Sequence, residues 1–256
     1  MNVVVLVKWV PNPEGVPELG DDFTLKREGQ EGSLDPGDEF GVEAALQVVD
    51  AEGGEVTVVS MGPESVATAA VRKALSMGAH KSVLVSDDSL KGADVAVTAK
   101  VLAEALKKQE PDLVIAGVES TDGSSGVLPQ AVAEHLGLPA ATFTRKLEIK
   151  DGMLHVERQT EVGYDVLEVH IPALVTLTAG ANQPRYPTLK GIMQAKQKPL
   201  EQLGTSDLGL DGDAVKSTQE VTGVNPAPEK SAGEIVEDDG EGFKKIADFL
   251  AEAKVI

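Results

Sequence analysis

The sequence predicts an α/β protein: an open, mostly parallel sheet with crossover helices, an antiparallel extension inserted before its last strand, and a C-terminal arm. Three observations predict it. Over the first three quarters of the 256 residues, short β-branched runs alternate with segments of helical period. Across residues 145–171 the period changes to two. From 204 to 242 the chain turns polar, acidic and rich in Gly, Pro and Asp.

Taken in order, residues 3–7, 55–60, 82–85, 112–116 and a group near 172–177 read as strands, their near-continuous apolar character suiting burial on both faces. Between them, 39–49, 64–77, 93–109 and 124–136 read as crossover helices, the third carrying Val95, Ala99, Leu102 and Leu106 on one stripe. In the extension Leu147 and Ile149, Leu154 and Val156, and Leu167, Val169 and Ile171 point one way. Asp151-Gly152 signals a tight hairpin between the first two of its strands. Residues 204–242, including Val224-Asn225-Pro226-Ala227-Pro228, read as a linker, and Phe243, Ile246, Ala247 and Leu250 place a short amphipathic helix after it. The expected division is a nucleotide-binding α/β domain over 1–203 and an arm over 204–256.

Composition narrows the function. With 42 acidic and 23 basic residues the formal net charge is −19, which disfavours nucleic acid and anionic membranes as partners. The absence of cysteine excludes disulfides, thiolate metal sites and cysteine nucleophiles, and His80, His135, His155 and His170 are scattered with no second ligand at a useful spacing, so no metal is expected. The first residues form a strand-like run rather than a signal or membrane segment, and a cytoplasmic chain without direct membrane insertion is expected.

In an open parallel sheet, ligands bind beyond the carboxyl ends of the strands. Three loops qualify: Lys8 to Pro13 leading on to Asp35-Pro36-Gly37-Asp38, where Asp35 and Asp38 are both candidate caps; Ser60-Met61-Gly62-Pro63; and Gly117 to Gly126. In the third, backbone N–H groups and the hydroxyls of Ser124 or Ser125 suit phosphate oxygens, and the same residues serve equally well for turning and capping. Neither GxxxxGK[ST] nor GxGxxG is present, so binding is favoured over turnover.

The run Asn182-Gln183-Pro184-Arg185-Tyr186-Pro187-Thr188-Leu189-Lys190-Gly191-Ile192-Met193-Gln194-Ala195-Lys196 resembles the N-x-P-R-Y-x-T-L-x-x-I-M-x-A-K signature of bacterial-type electron transfer flavoprotein beta subunits. Val156-Glu157-Arg158, Glu161, Gly163, Leu167 and Pro172-Ala173-Leu174-Val175-Thr176 resemble that family's second signature, with Val162 and Asp165 as departures. Val7-Lys8, Gly62-Pro63, Arg72 to Ala79 and Asp122-Gly123 extend the likeness over roughly residues 1–200.

The resemblance implies an adenine-nucleotide alpha-hydrolase-like (Rossmann-like) fold and a beta subunit that binds AMP. It pairs with an alpha subunit holding most of the FAD and reaches that subunit with its arm. AMP contacts are then expected at Leu6, Asp35, Pro36, Gly37, Asp38, Met61, Asp122, Gly123, Ser124, Ser125, Gly126, Val127, Leu128, Pro129, Gln130, Ala131, Val132 and Ala133. Gly37-Asp38 and 124–128 differ from the commoner family residues, and a family tyrosine near the flavin is replaced around Pro13.

Residues 182–198 correspond to the recognition loop for flavin dehydrogenases of the acyl-CoA dehydrogenase type, with Tyr186, Leu189, Ile192 and Met193 as the docking residues. Without the resemblance, core packing would be the readier reading of those four. Arg158 reads either as a solvated partner of Glu157 or Glu161 or as a residue of the subunit interface or flavin side. The implied activity is electron carriage to a quinone reductase or other acceptor, with no catalytic residue in this chain. An electron-bifurcating member with a second FAD in place of AMP remains an alternative, as does a nucleotide-binding enzyme or a stress-type sensor on the same fold.

Overall fold

The computed structural model describes residues 1–12, 15, 17–225, 233, 235–237 and 240–256. Pro13, expected in place of a tyrosine, and the Pro226-Ala227-Pro228 part of the expected linker lie outside the described residues.

Val3, Val4 and Val5 are fully buried in β1 (Asn2–Leu6), which alternates between the two faces of the sheet: Val3 and Val5 join one apolar cluster and Val4 and Leu6 the other. A ribbon of β2 (Trp9–Pro11) against β3 (Gly32–Leu34) brackets the first long loop. α1 (Pro36–Glu52) then starts on Asp35, whose Oδ1 accepts the Gly37 N–H at 2.8 Å, with Pro36 opening the first turn.

The alternation continues through β4 (Glu55–Met61), α2 (Glu64–Met77), β5 (Lys81–Val85), α3 (Val95–Lys107), β6 (Leu113–Gly117) and α4 (Leu128–Leu136). The extension comprises β7 (Ala140–Lys150), β8 (Met153–Thr160) and β9 (Gly163–His170). After it come the core strand β10 (Ala173–Leu177), then α5 (Leu189–Ala195), β11 (Leu200–Leu203) and, near the end, α6 (Gly242–Glu252).

The nine-stranded sheet has the order β11-β5-β4-β1-β6-β10-β7-β8-β9. It is parallel from β11 to β7 and antiparallel at β7–β8 and β8–β9. The chain winds from β1 outward through β4 and β5 and then restarts at β6 on the other side of β1, so the switch point lies between β1 and β6. Helices α1 and α2 cover one face of the sheet and α3 and α4 the other.

The expected extension is present with its predicted inward set, since Leu147 faces Val156 and Ile149 faces Leu154 across the ladder, and Leu154 and Val156 are buried. Asp151 (φ 52°) and Gly152 (φ 74°) make the two-residue hairpin, and positive φ at both central positions is what a type I′ turn requires. Its first strand begins earlier than residue 145. Residues 140–144 run parallel to β10, and β7 changes partner at a bulge where Phe143 takes φ 54° and donates its N–H to Thr176 Oγ1 at 2.9 Å.

Two expected boundaries are corrected. The helix expected over 124–136 starts at Leu128, because Pro129 belongs in a first turn and 124–127 are loop. The stretch expected to be linker from Gly204 is packed as far as Val221, where one compact unit (Met1–Val221) ends and another (Thr222–Ile256) begins. Leu208, Leu210 and Val215 are buried. Asp87 accepts both the N–H and the hydroxyl of Thr205, at 3.1 and 2.9 Å, and Asp94, the N-cap of α3, accepts those of Thr218 at 2.7 and 3.0 Å. Within the second unit, α6 carries Phe243, Ile246 and Phe249, all exposed.

Candidate functional site

The loops beyond β1 and β6 are tied to the start of α1 by two buried carboxylates. Asp35 is fully buried; besides capping α1 with Oδ1, it accepts the Thr121 N–H at 2.7 Å and the Thr121 hydroxyl at 2.9 Å on Oδ2. Its own N–H donates to the Lys8 carbonyl at 2.9 Å. Asp38 was expected to be a cap and is instead an internal acceptor, taking the Lys8 N–H at 2.7 Å. Burial, then the neighbouring Asp35 charge, push the Asp38 carboxyl well above the usual range, against the hydrogen bonds from the Lys8 and Gly117 backbones. Gly117 keeps this approach open, since a Cβ would stand 3.0 Å from Asp38 Oδ1 and push against it.

A third carboxylate, Asp122, has a side chain 6% exposed and is gripped by two cations: Lys8 Nζ at 2.7 Å and Arg27 Nη2 at 2.6 Å. Lys8 Nζ also donates to Ser120 Oγ at 3.1 Å and Arg27 to the Trp9 carbonyl at 3.3 Å. Burial raises the Asp122 carboxyl, but Lys8 and Arg27 outweigh it and hold it below its ordinary value. Sequence reasoning placed Asp122 in the site without its partners. Lys8 was visible as part of the first loop, whereas nothing in the polar stretch around Arg27 marks it.

In the loop itself Ser124 (φ 41°) and Gly126 (φ 64°) are left-handed. Gln130 Nε2 donates to the Gly126 carbonyl at 3.2 Å, and its Oε1 is buried without a partner among the described residues. Gly123, Ser124, Ser125 and Val127 are exposed, Leu128 and Ala131 half-buried, and Pro129, Val132 and Ala133 buried, the last two within the apolar cluster on the sheet. Leu6 lies beneath the loops at 7% exposure and Pro36 is exposed.

Met61 is on a different wall: with Lys8, Arg27, Pro63, Val85 and Leu90 it lines a cleft of about 910 Å³ to which residues 122–133 do not contribute. Lys8 and Arg27 are common to the cleft and to the Asp122 network.

Asp35, Asp38 and Asp122 are engaged by backbone donors or cations, which lowers their repulsion of a phosphate, whereas Glu119 within the loop is exposed; Gln130 offers a buried acceptor that lacks a donor among the described residues.

The second expected surface is a protruding one. Tyr186 (88%), Leu189 (82%), Met193 (72%) and Ile192 (48%) are exposed, so they are not core. α5, capped by Thr188 Oγ1 accepting the Gly191 N–H at 3.0 Å, lies against α2 so closely that a Cβ on Gly191 would meet the Ser76 carbonyl at 2.5 Å. Arg72 donates to the Lys198 carbonyl at 3.1 Å, and Lys198 Nζ donates to the Leu75 and Ala79 carbonyls at the end of α2 at 2.9 and 2.6 Å. Arg158 does not take Glu157. Arg145 does, at 2.9 Å, while lying 4.2 Å from the centre of the Tyr164 ring, and Arg158 Nε is buried without a partner among the described residues.

Among the described residues, no cluster of His, Cys, Asp and Glu has the arrangement of a metal site, and no helix is long and apolar enough to cross a membrane.

Residues 22–208 match the Electron transfer flavoprotein domain family. The chain is 44% identical to the electron transfer flavoprotein subunit beta of Mycobacterium tuberculosis (strain ATCC 25618 / H37Rv), covering 100% of this chain and 99% of the relative. It is 37% identical to the protein of the same name from Bacillus subtilis (strain 168), covering 100% of both. It is 36% identical to the caffeyl-CoA reductase-Etf complex subunit CarD of Acetobacterium woodii, covering 92% of each.

Proposed function

The chain belongs to the electron transfer flavoprotein family as a beta subunit, and from that premise we propose that it binds AMP beside the switch point and pairs with an alpha subunit holding most of a shared FAD. The complex takes electrons from flavin dehydrogenases of the acyl-CoA dehydrogenase type and delivers them to a quinone reductase or other acceptor, in the cytoplasm. The observation that carries the nucleotide assignment is the bond of Asp35 to Thr121. It fastens the α1 N-terminus to the loop after β6 and so fixes that loop, with the backbone of residues 122–126, beside the switch point.

The loop backbone from Asp122 to Gly126 and the hydroxyls of Ser124 and Ser125 hold the phosphate. Gln130 Oε1 accepts a hydrogen bond from the base or ribose, and Leu6 supplies an apolar wall. FAD supplies the redox chemistry when bound, while this chain supplies placement, so no residue here is catalytic. Leu189 and its neighbours form an apolar peg for the reductant dehydrogenase.

The likeness to the caffeyl-CoA reductase-Etf complex subunit supports weighing a second reading, in which the chain belongs to an electron-bifurcating complex with a second FAD in place of AMP. Co-expression with an alpha subunit, followed by quantification of flavin and nucleotide released on denaturation, separates them. One FAD and one AMP per heterodimer is the expected result. Two FAD would replace it by the second reading, and failure to form a flavin-containing complex would overturn both.

A further inference from the structure

Glu43 is an unusual residue for its place. It sits within α1 with a side chain only 6% exposed, and a carboxylate taken out of water must find partners. It finds them in the segment that presents the peg. Glu43 Oε2 accepts both the backbone N–H of Arg185 at 3.1 Å and its Nε at 2.8 Å, and Oε1 accepts Nη2 at 3.2 Å. Gln47 donates to the same Oε1 at 2.9 Å, and Arg185 Nη2 reaches on to Asp50 at 3.0 Å.

The backbone contact decides what this latch does. A fork between two side chains fixes a guanidinium; a carboxylate that also takes the main-chain N–H fixes the chain itself, immediately before Tyr186. Asn182 Nδ2 adds a bond to the Phe40 carbonyl at 2.9 Å, so two bonds from one turn of α1 fix the entry to the peg. The exit is held separately, by Arg72 and Lys198 on α2. Exposed apolar side chains bind a preformed pocket well only if their backbone is already in place, because ordering a loop at the moment of docking subtracts from affinity.

We propose that Glu43 is a positioning residue for partner docking: through Arg185 it holds the Tyr186–Met193 surface in the geometry that a flavin dehydrogenase meets. This rests on the reading of that surface as the docking site. The test uses the complete heterodimer, a flavin dehydrogenase as reductant and three variants: Glu43→Gln, Arg185→Lys and Leu189→Ala.

Glu43→Gln should raise the KM for the dehydrogenase roughly tenfold, with kcat, FAD content and the rate of reduction by dithionite unchanged, and should speed amide hydrogen exchange across residues 186–193. Arg185→Lys keeps the cation and the backbone N–H, and should give a smaller rise. Were Leu189→Ala to raise KM while neither latch variant did, the positioning role would be overturned and the docking surface kept. A Leu189→Ala variant with unchanged KM would remove the docking surface and the latch role with it. If Glu43→Gln does not assemble, Glu43→Asp, whose shorter side chain draws the carboxylate away from the Arg185 N–H, takes its place, and an unchanged KM there is equally decisive against the proposal.

Discussion

Asp122 shows how a single carboxylate closes the polar network beyond β1. Lys8 takes one oxygen and Arg27 the other, and removing the anion leaves two partly solvated cations close together without it. The folded carboxyl titrates below its unfolded value, so its contribution is fully present above about pH 4 and is lost as the pH falls through the folded pKa. Asp122→Asn should therefore cost about 1–2 kcal/mol at pH 7, discounted because both cations are partly solvated. The gap from the wild type should shrink as the pH is lowered toward 3. Urea unfolding of both proteins at several pH values checks this, and a gap that does not change with pH would mean that lost shape rather than lost charge is responsible. Asp38 acts in the opposite sense: its raised carboxyl binds more protons folded than unfolded, so its contribution weakens as the pH rises above about 4. Loop position offered Asp35 and Asp38 as candidate caps, and the family resemblance placed both, with Asp122, in the expected site. The sequence did not reveal Thr121 as the counterpart of Asp35, Arg27 as that of Asp122, or Arg185 as that of Glu43, because those pairs join residues far apart in the chain and no local pattern encodes them.

At the scale of elements, periodicity was informative wherever burial is regular. The five β-branched runs and α2 are where the pattern places them, since a strand covered on both faces must be apolar throughout. The elements that escaped have mixed character. β11 (Leu200–Leu203) is an edge strand with two exposed residues, and residues 140–144 of β7 combine two alanines with a left-handed Phe143. The stretch after Gly204 looks solvated because Asp87 and Asp94, rather than a long apolar run, hold it. Pro129 was the signal for the start of α4 and outranks the capping residues upstream of it. A glycine supplies the sharpest test at this scale. Gly191→Ala places a methyl group against the Ser76 carbonyl, which belongs to a helix backbone and has no room to yield. Overpacking of this kind costs about 1–3 kcal/mol. The variant should lose that much in urea unfolding and release α5 from α2, seen as faster amide exchange across 189–195; unchanged stability would show that the two helices slide apart without strain.

Across the whole molecule, a net charge of −19 in 256 residues means that any anionic ligand approaches against a repulsive field. The AMP binding proposed above is then local, decided within the loops where backbone donors, Lys8 and Arg27 are concentrated. A ligand that binds only the folded chain stabilises it by mass action, by about 2.7 kcal/mol when its free concentration is a hundredfold above Kd. For a domain of this size that is on the order of 5–10 °C in Tm. Removing bound nucleotide from the heterodimer should lower Tm by that amount, and adding AMP back should restore it in proportion to the logarithm of its concentration. Asp35→Ala should abolish the AMP response, because it unfastens the α1 N-terminus from the loop after β6. Recovery of Tm with FAD but not with AMP would assign the site to a second flavin, and no recovery with either would remove the nucleotide from the switch point altogether.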